Sequence, residues 1–149
     1  MKKVIAILVL MFALTACSLG DDNSNGFSVA LLPVETVQIP ESFQYGNTYL
    51  IKMTYKRPTT CHSYSGIYFT SKDTVRTVAI QNLVENRSDC QAIEIGVPQE
   101  ASFNFKVLEI EGKSYKFRFY KGIGENGQDL FEEIIVPVVA PTNVVGSSN

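Results

Sequence analysis

The sequence predicts an all-β protein, an antiparallel β-sandwich of about seven to nine strands. Three observations point there. From Phe27 onward, apolar and polar residues alternate with period two in several separate runs, as strands with one buried face require. Turn-forming residues recur every 8–12 positions or so, the spacing of sandwich strands. No stretch of ten or more residues beyond position 17 keeps a helical period.

Tyr49, Ile51, Met53 and Tyr55 alternate with Leu50, Lys52, Thr54 and Lys56, and Arg57-Pro58-Thr59-Thr60 breaks the run. Ile67 to Thr70 and Thr74 to Leu83 read as two further strands, joined by a turn at Ser71-Lys72-Asp73. Ile93, Ile95 and Val97 alternate with Glu94 and Gly96 and predict another strand before Pro98. Phe103, Phe105 and Val107 continue the pattern, whose phase slips at Leu108, where a β-bulge is expected. Glu111-Gly112-Lys113 predicts a hairpin turn into Tyr115, Phe117 and Phe119. An Asn126-Gly127 turn leads to a last strand over about 130–139. Pro137 within it points to an edge or a bulge, and Glu132 and Glu133 discourage edge-to-edge pairing. The closing pair, SYKFRFYKG and FEEIIVPVV, resembles the last two strands of bacterial Ig-like modules. The Ig-like description concerns architecture alone, because the chain has no Trp to pack on a disulfide.

The amino terminus carries a different signal. Met1-Lys2-Lys3 is a short positive stretch, followed by the apolar run Val4 to Leu14. Those eleven residues suit the core of a secretory signal peptide. As a helix they would span only about 16 Å, against a hydrocarbon core of about 30 Å, so a permanent membrane span is the weaker reading. The run ends in Leu14-Thr15-Ala16-Cys17, which resembles the bacterial lipobox. That resemblance implies cleavage between Ala16 and Cys17 and lipidation of Cys17. Two or more acyl chains give a stable anchor, whereas one gives marginal binding. The alternative is an ordinary signal peptide with a chance cysteine.

The expected organisation is a signal peptide at 1–16, lipidated Cys17 with an acidic tether to 28, a sandwich domain at 29–140 and a loose tail at 141–149. Removing residues 1–16 takes away Lys2 and Lys3, leaving 133 residues with 11 basic and 15 acidic side chains, a net charge of −4. No basic stripe is present, which argues against nucleic acid and against polybasic lipid contact. The tether SLGDDNSNG is small and polar. Its Asp21-Asp22-Asn23-Ser24-Asn25-Gly26 segment resembles half an EF-hand loop, but Leu32 stands where a bidentate Glu is needed.

The lipobox with its acidic tether (CSLGDD), the RPTTCH segment at 57–62 and the closing FRFYKGIGENGQDLFEEIIVPV segment together resemble a group of small lipoproteins from Bacteroidota. The resemblance covers most of the processed chain. It implies envelope placement, at the outer membrane, and carries no activity with it. Asp21 and Asp22, soon after Cys17, fit a surface-display signal of that lineage; a merely solvating linker reads equally well. Asp73-Thr74-Val75 fits the lineage's short O-glycosylation pattern at Thr74, a match that chance also supplies.

With Cys17 assigned to lipid, Cys61 and Cys90 remain. Export favours a disulfide between them, worth about 3–4 kcal/mol in the chain-entropy picture; two buried thiols are the alternative. His62 is the only histidine. A Cys61–His62 catalytic couple is disfavoured, because strand neighbours point to opposite faces and a disulfide consumes the nucleophile. Cys61, His62 and Cys90 are too few for a zinc site, so no metal and no cofactor are expected. Glu94, Glu109, Glu111, Glu132 and Glu133 read as solvated, although a glycosidase pair among them stays open.

Most of the sixteen aromatics are expected in the core, with Tyr45, Tyr64, Tyr68 and Tyr120 on loops or outward faces. Loops 57–66 and 121–129 are the expected contact regions, with Arg57, Thr59, Thr60, His62, Tyr64, Glu125 and Asn126 as candidate binding residues. The leading functional expectation is a non-enzymatic binding or structural module on the envelope, docking a protein or glycan. An inhibitor or accessory subunit of an envelope complex, and a small hydrolase, are the rival classes.

Overall fold

The computed structural model describes residues 26–141. The expected signal peptide, its expected cleavage point between Ala16 and Cys17, the expected tether up to Asn25 and positions 142–149 of the expected tail lie outside the described residues.

Among the described residues there are nine strands and no helix. In chain order they are β1 (Phe27–Leu32), β2 (Thr36–Gln38), β3 (Phe43–Gln44), β4 (Thr48–Tyr55), β5 (His62–Lys72), β6 (Val75–Glu85), β7 (Gln99–Lys106), β8 (Ser114–Ile123) and β9 (Asp129–Val139). They form two sheets, as a sandwich requires. The larger runs β1-β6-β8-β9-β3 with β5 beside β6, and the smaller runs β2-β4-β7. β1 starts two residues before the expected domain boundary at 29.

Two pairings depart from an all-antiparallel arrangement: β6 runs parallel to β8, and β3 parallel to β9. The cause lies in β6. One of its edges carries β5 along its length; the other carries β8 at Val75–Val78 and β1 at Ile80–Glu85. The chain leaves β6, builds β7 in the other sheet and returns as β8, a crossover that permits parallel neighbours.

The β4 run behaves as its alternation predicts, with Ile51, Met53 and Tyr55 buried. The β5–β6 turn falls at Asp73-Thr74 rather than at Ser71-Lys72-Asp73, with Asp73 at φ 52°, a conformation Asp tolerates. β5 also begins five residues earlier than the Ile67 expected. A bulge between Tyr64 and Gly66 shifts its phase, so that Tyr64 meets Tyr55 while Phe69 meets Phe103. Gly66, at φ 154°, supplies the backbone freedom this shift needs.

Three other expectations are corrected. Residues 93–97 form no strand, and Ile95 and Val97 are exposed. Alternation becomes a strand only with a partner; here Ile93 donates its N–H to the Pro58 carbonyl and Gly96 and Pro98 follow. The slip at Leu108 is no bulge, because β7 ends at Lys106 and the N–H groups of Leu108 and Glu109 go to the Tyr115 hydroxyl. The Gly112 turn is present, with φ 82°, but β7 and β8 lie in opposite sheets, so it is a crossing between sheets and not a hairpin. The β8–β9 hairpin is found as predicted, with a bulge between Tyr120 and Gly122. Beyond β9 lies only the two-residue β3, which accommodates Pro137 near an edge.

The core lies between the sheets around Phe43. Its ring is 4.8 Å from Tyr49, 5.4 Å from Phe105 and 6.0 Å from both Tyr115 and Phe117. Phe105 of the small sheet packs edge-on against Tyr115 and Phe117 of the large one, at 4.9 and 5.1 Å. Such pairs contribute about 0.5–1.5 kcal/mol each beyond area burial. Tyr115, near the start of β8, ties its hydroxyl to upstream backbone, as in the tyrosine corner of β-sandwiches. Tyr120, expected on an outward face or loop, is instead buried beside Phe131 at 6.0 Å; burial first, then the charge of Asp129, raises its pKa above the ordinary value.

Candidate functional site

The sandwich is open on one side. β5 pairs only with β6, and β7 ends the small sheet, so two free strand edges face each other there. Between them runs a groove of about 420 Å³, within the size range of small-ligand sites. Ile67, Phe69 and Ser71 of β5 form one wall, and Phe103 to Lys106 of β7 form the other. The rings of Phe69 and Phe103 meet edge to face at 5.6 Å across it. Phe69 remains 42% exposed despite this contact, so a large apolar ring faces solvent at the groove.

Arg76 also lines the groove. It stands on the inward-facing side of β6, in phase with Val78, Ile80 and Asn82, all buried. Its guanidinium lies 4.9 Å from the Tyr115 ring centroid and 5.9 Å from that of Phe105, cation–π geometry. Nη1 donates to the carbonyls of Asp73 at 2.6 Å and Val75 at 2.9 Å. Lys106, on the opposite wall, donates from Nζ to the Gly46 carbonyl. Neither cation forms an ion pair with a described carboxylate, whereas Lys56, Arg87, Lys116, Arg118 and Lys121 all do.

None of the sequence-predicted site residues lines the groove. Cys61 and Cys90 form a disulfide, with Cα atoms 5.4 Å apart. It clamps the 57–61 loop to the 90–93 segment, and backbone bonds complete the clamp. Thr60 N–H donates to Gln91 O at 2.9 Å, and Ile93 N–H to Pro58 O at 2.9 Å. Gln91 N–H donates to Thr60 Oγ1 at 3.1 Å. Thr59 Oγ1 shares a hydrogen bond of 2.8 Å with His62 Nδ1 and accepts Cys61 N–H at 3.3 Å. Arg57 Nη1 donates to the His62 carbonyl at 3.2 Å. Thus Arg57, Thr59, Thr60 and His62 come together, but largely to hold one another. Burial first, then the Arg57 charge, lowers the His62 pKa below 6.5.

Tyr64 lies within β5, its ring 6.0 Å from that of Tyr55. Burial, then Tyr64, raises the pKa of Tyr55 against a lowering pull from Arg57. Glu125 and Asn126 occupy the β8–β9 hairpin tip, where Asn126 closes a local turn with Gln128 at 3.1 Å. No described contact joins them to the 57–62 loop. Instead the 33–35 connector intervenes. Glu35 pairs with Lys56 at 3.1 Å and accepts Lys121 Nζ at its carbonyl at 3.0 Å. Thr74 lies half-buried in the β5–β6 turn, its carbonyl accepting Lys116 N–H at 3.1 Å. Among the described residues no three His, Cys, Asp or Glu side chains are placed to hold a metal ion.

Sequence reasoning missed the groove. One signal was present: Arg76 occupies an apolar phase of an alternating strand. That Phe69 and Phe103 stand opposite one another depends on which strands end each sheet, which alternation does not encode. No family model, curated protein or solved structure matches the chain.

Proposed function

We propose that this chain is an envelope-anchored lipoprotein, lipidated at Cys17, whose sandwich domain is a non-enzymatic binding module. The anchor rests on the Leu14-Thr15-Ala16-Cys17 motif and the polar tether that follows it. Nine residues separate Cys17 from Phe27, a tether of roughly 16 Å root-mean-square length if flexible, enough to stand the domain just off a membrane. The binding role rests on one observation, the groove between the free edges of β5 and β7 with its exposed aromatic wall. Convergent apolar surface with a few polar groups is what ligand sites offer.

A second reading, an inhibitor or accessory subunit of an envelope complex, has its own support in the clamped 57–62 loop. A loop rigidified by a disulfide, three hydrogen bonds to the 90–93 segment and one between Thr59 and His62 loses little entropy on docking. A photo-cross-linking amino acid placed at Phe69, at Thr60 or at the remote Leu50 on intact cells separates the two readings. Adducts at position 69 support the groove. Adducts only at position 60 favour the inhibitor or accessory role, and equal yields at all three positions count against both.

A further inference from the structure

Arg76 is costly where it stands. A charged side chain directed between two sheets loses hydration, and it is ordinarily matched by a carboxylate. Here the compensation comes from two backbone carbonyls and two aromatic rings. Both carbonyls are taken by the same nitrogen, Nη1. The guanidinium carries five N–H donors, and those on Nε and Nη2 have no hydrogen-bond partner among the described residues. They are reachable, because Arg76 is only partly buried and lines the groove.

The rest of the groove has one chemical character. No Asp or Glu lines it, and its second charged group is Lys106, again a cation. Apart from Ser71 and Asn104 the walls are aliphatic and aromatic. A cationic ligand would find no partner here. A neutral sugar would find few hydroxyl partners and would leave the guanidinium unmatched. In a chain with more acidic than basic side chains, a groove carrying only positive charge is a local reversal that favours anions.

Taking the groove as the binding site proposed above, we infer that its ligand is an anionic amphiphile, a small organic acid with an apolar body. The carboxylate meets the free donors of Arg76, with Lys106 on the far wall, and the apolar body lies against Ile67, Phe69 and Phe103. Arg is suited to this role because its planar fork grips a carboxylate through two parallel hydrogen bonds.

The test uses the full chain in lipid nanodiscs and a photoreactive aromatic acid, 4-benzoylbenzoate, beside its uncharged methyl ester. Saturable labelling by the acid within residues 67–71 or 103–108 is expected, competed by octanoate much better than by octanol. Arg76→Gln should weaken labelling by the acid about ten- to hundredfold, the value of a charge-assisted hydrogen bond, and leave the ester unchanged. Arg76→Lys keeps the charge and should retain part of the binding, which separates a lost ligand contact from a lost fold. Phe69→Ala should weaken acid and ester alike. Equal labelling of the groove by acid and ester, insensitive to Arg76→Gln, would overturn the anionic specificity and leave the groove as a binding site. Absence of saturable labelling in the groove by either probe would overturn both this inference and the groove reading.

Discussion

The hydroxyl of Tyr115 accepts the backbone N–H of Leu108 at 2.9 Å and that of Glu109 at the same distance. One buried side chain thus satisfies two donors that leave the β7 ladder, and it fixes the path by which the chain crosses from the small sheet to the large one. The same ring carries the Arg76 guanidinium on its face, so the structural corner packs directly against a residue that lines the groove.

Tyr115→Phe removes only the oxygen. It leaves two backbone donors without their partner, each costing about 1–3 kcal/mol if water does not replace it. A stability loss in the lower part of that range is expected in urea denaturation, together with faster amide exchange at Leu108 and Glu109. Unchanged exchange at those two amides would show that the hydroxyl does not hold the crossing.

Removing the Cys61–Cys90 disulfide by paired substitution to Ala should cost about 2–5 kcal/mol. The loss should appear with unchanged groove binding, since the clamp and the groove share no lining residue. Denaturation midpoints of oxidised, reduced and doubly substituted protein check the first part, and ligand titration checks the second.

His62 gives the fold a pH dependence. Burial and then Arg57 lower its folded-state pKa below the ordinary 6.5, so protonation is harder in the folded chain than in the unfolded one. Stability tied to neutral His62 is complete above pH 6.5, declines below it, and is lost once the pH falls through the lowered folded-state value. Urea midpoints over about pH 7.5 to 5, the range where histidine titrates, should fall more steeply for the native chain than for His62→Gln. Parallel curves would contradict this.

Gly122 sits at the β8 bulge with φ 107°. A Cβ there would lie 3.5 Å from Pro33 Cγ, an ordinary contact, so space is not the obstacle. The backbone is. Gly122→Ala should destabilise by roughly 1–3 kcal/mol, whereas Gly124→Ala, without positive φ, is opposed only by contacts of 3.1–3.4 Å with Asn126 and Leu130 side chains and should cost less. Thermal melts of the two variants give the comparison.

Cys17→Ser removes the thiol that would carry the acyl chains and should shift the chain into the aqueous phase on detergent partitioning. Full membrane association of this variant would sink the lipid-anchor proposal.

Much of the strand content was legible in the sequence because burial on one face imposes period two. The β4 run from Tyr49 to Tyr55 and the β8–β9 hairpin around Asn126-Gly127 are examples. The pattern misled where a strand lacked a partner, as at 93–97, and where a glycine bulge reset the phase, as at Gly66. The pairing of Cys61 with Cys90 was expected from cysteine arithmetic, once Cys17 is set aside for the proposed lipid, and the structure forms it.

By itself the sequence determined the fold class and the two-faced strands, since these depend on local periodicity; it favoured a Cys61–Cys90 disulfide but left two thiols as the alternative. The tertiary structure alone decided which strands end each sheet, that β6 lies parallel to β8, and that Phe69, Phe103 and Arg76 share one groove. Sheet order is set by long-range packing and crossovers, where residues distant along the chain compete for the same neighbours, and the alternation within any one strand carries no record of that competition.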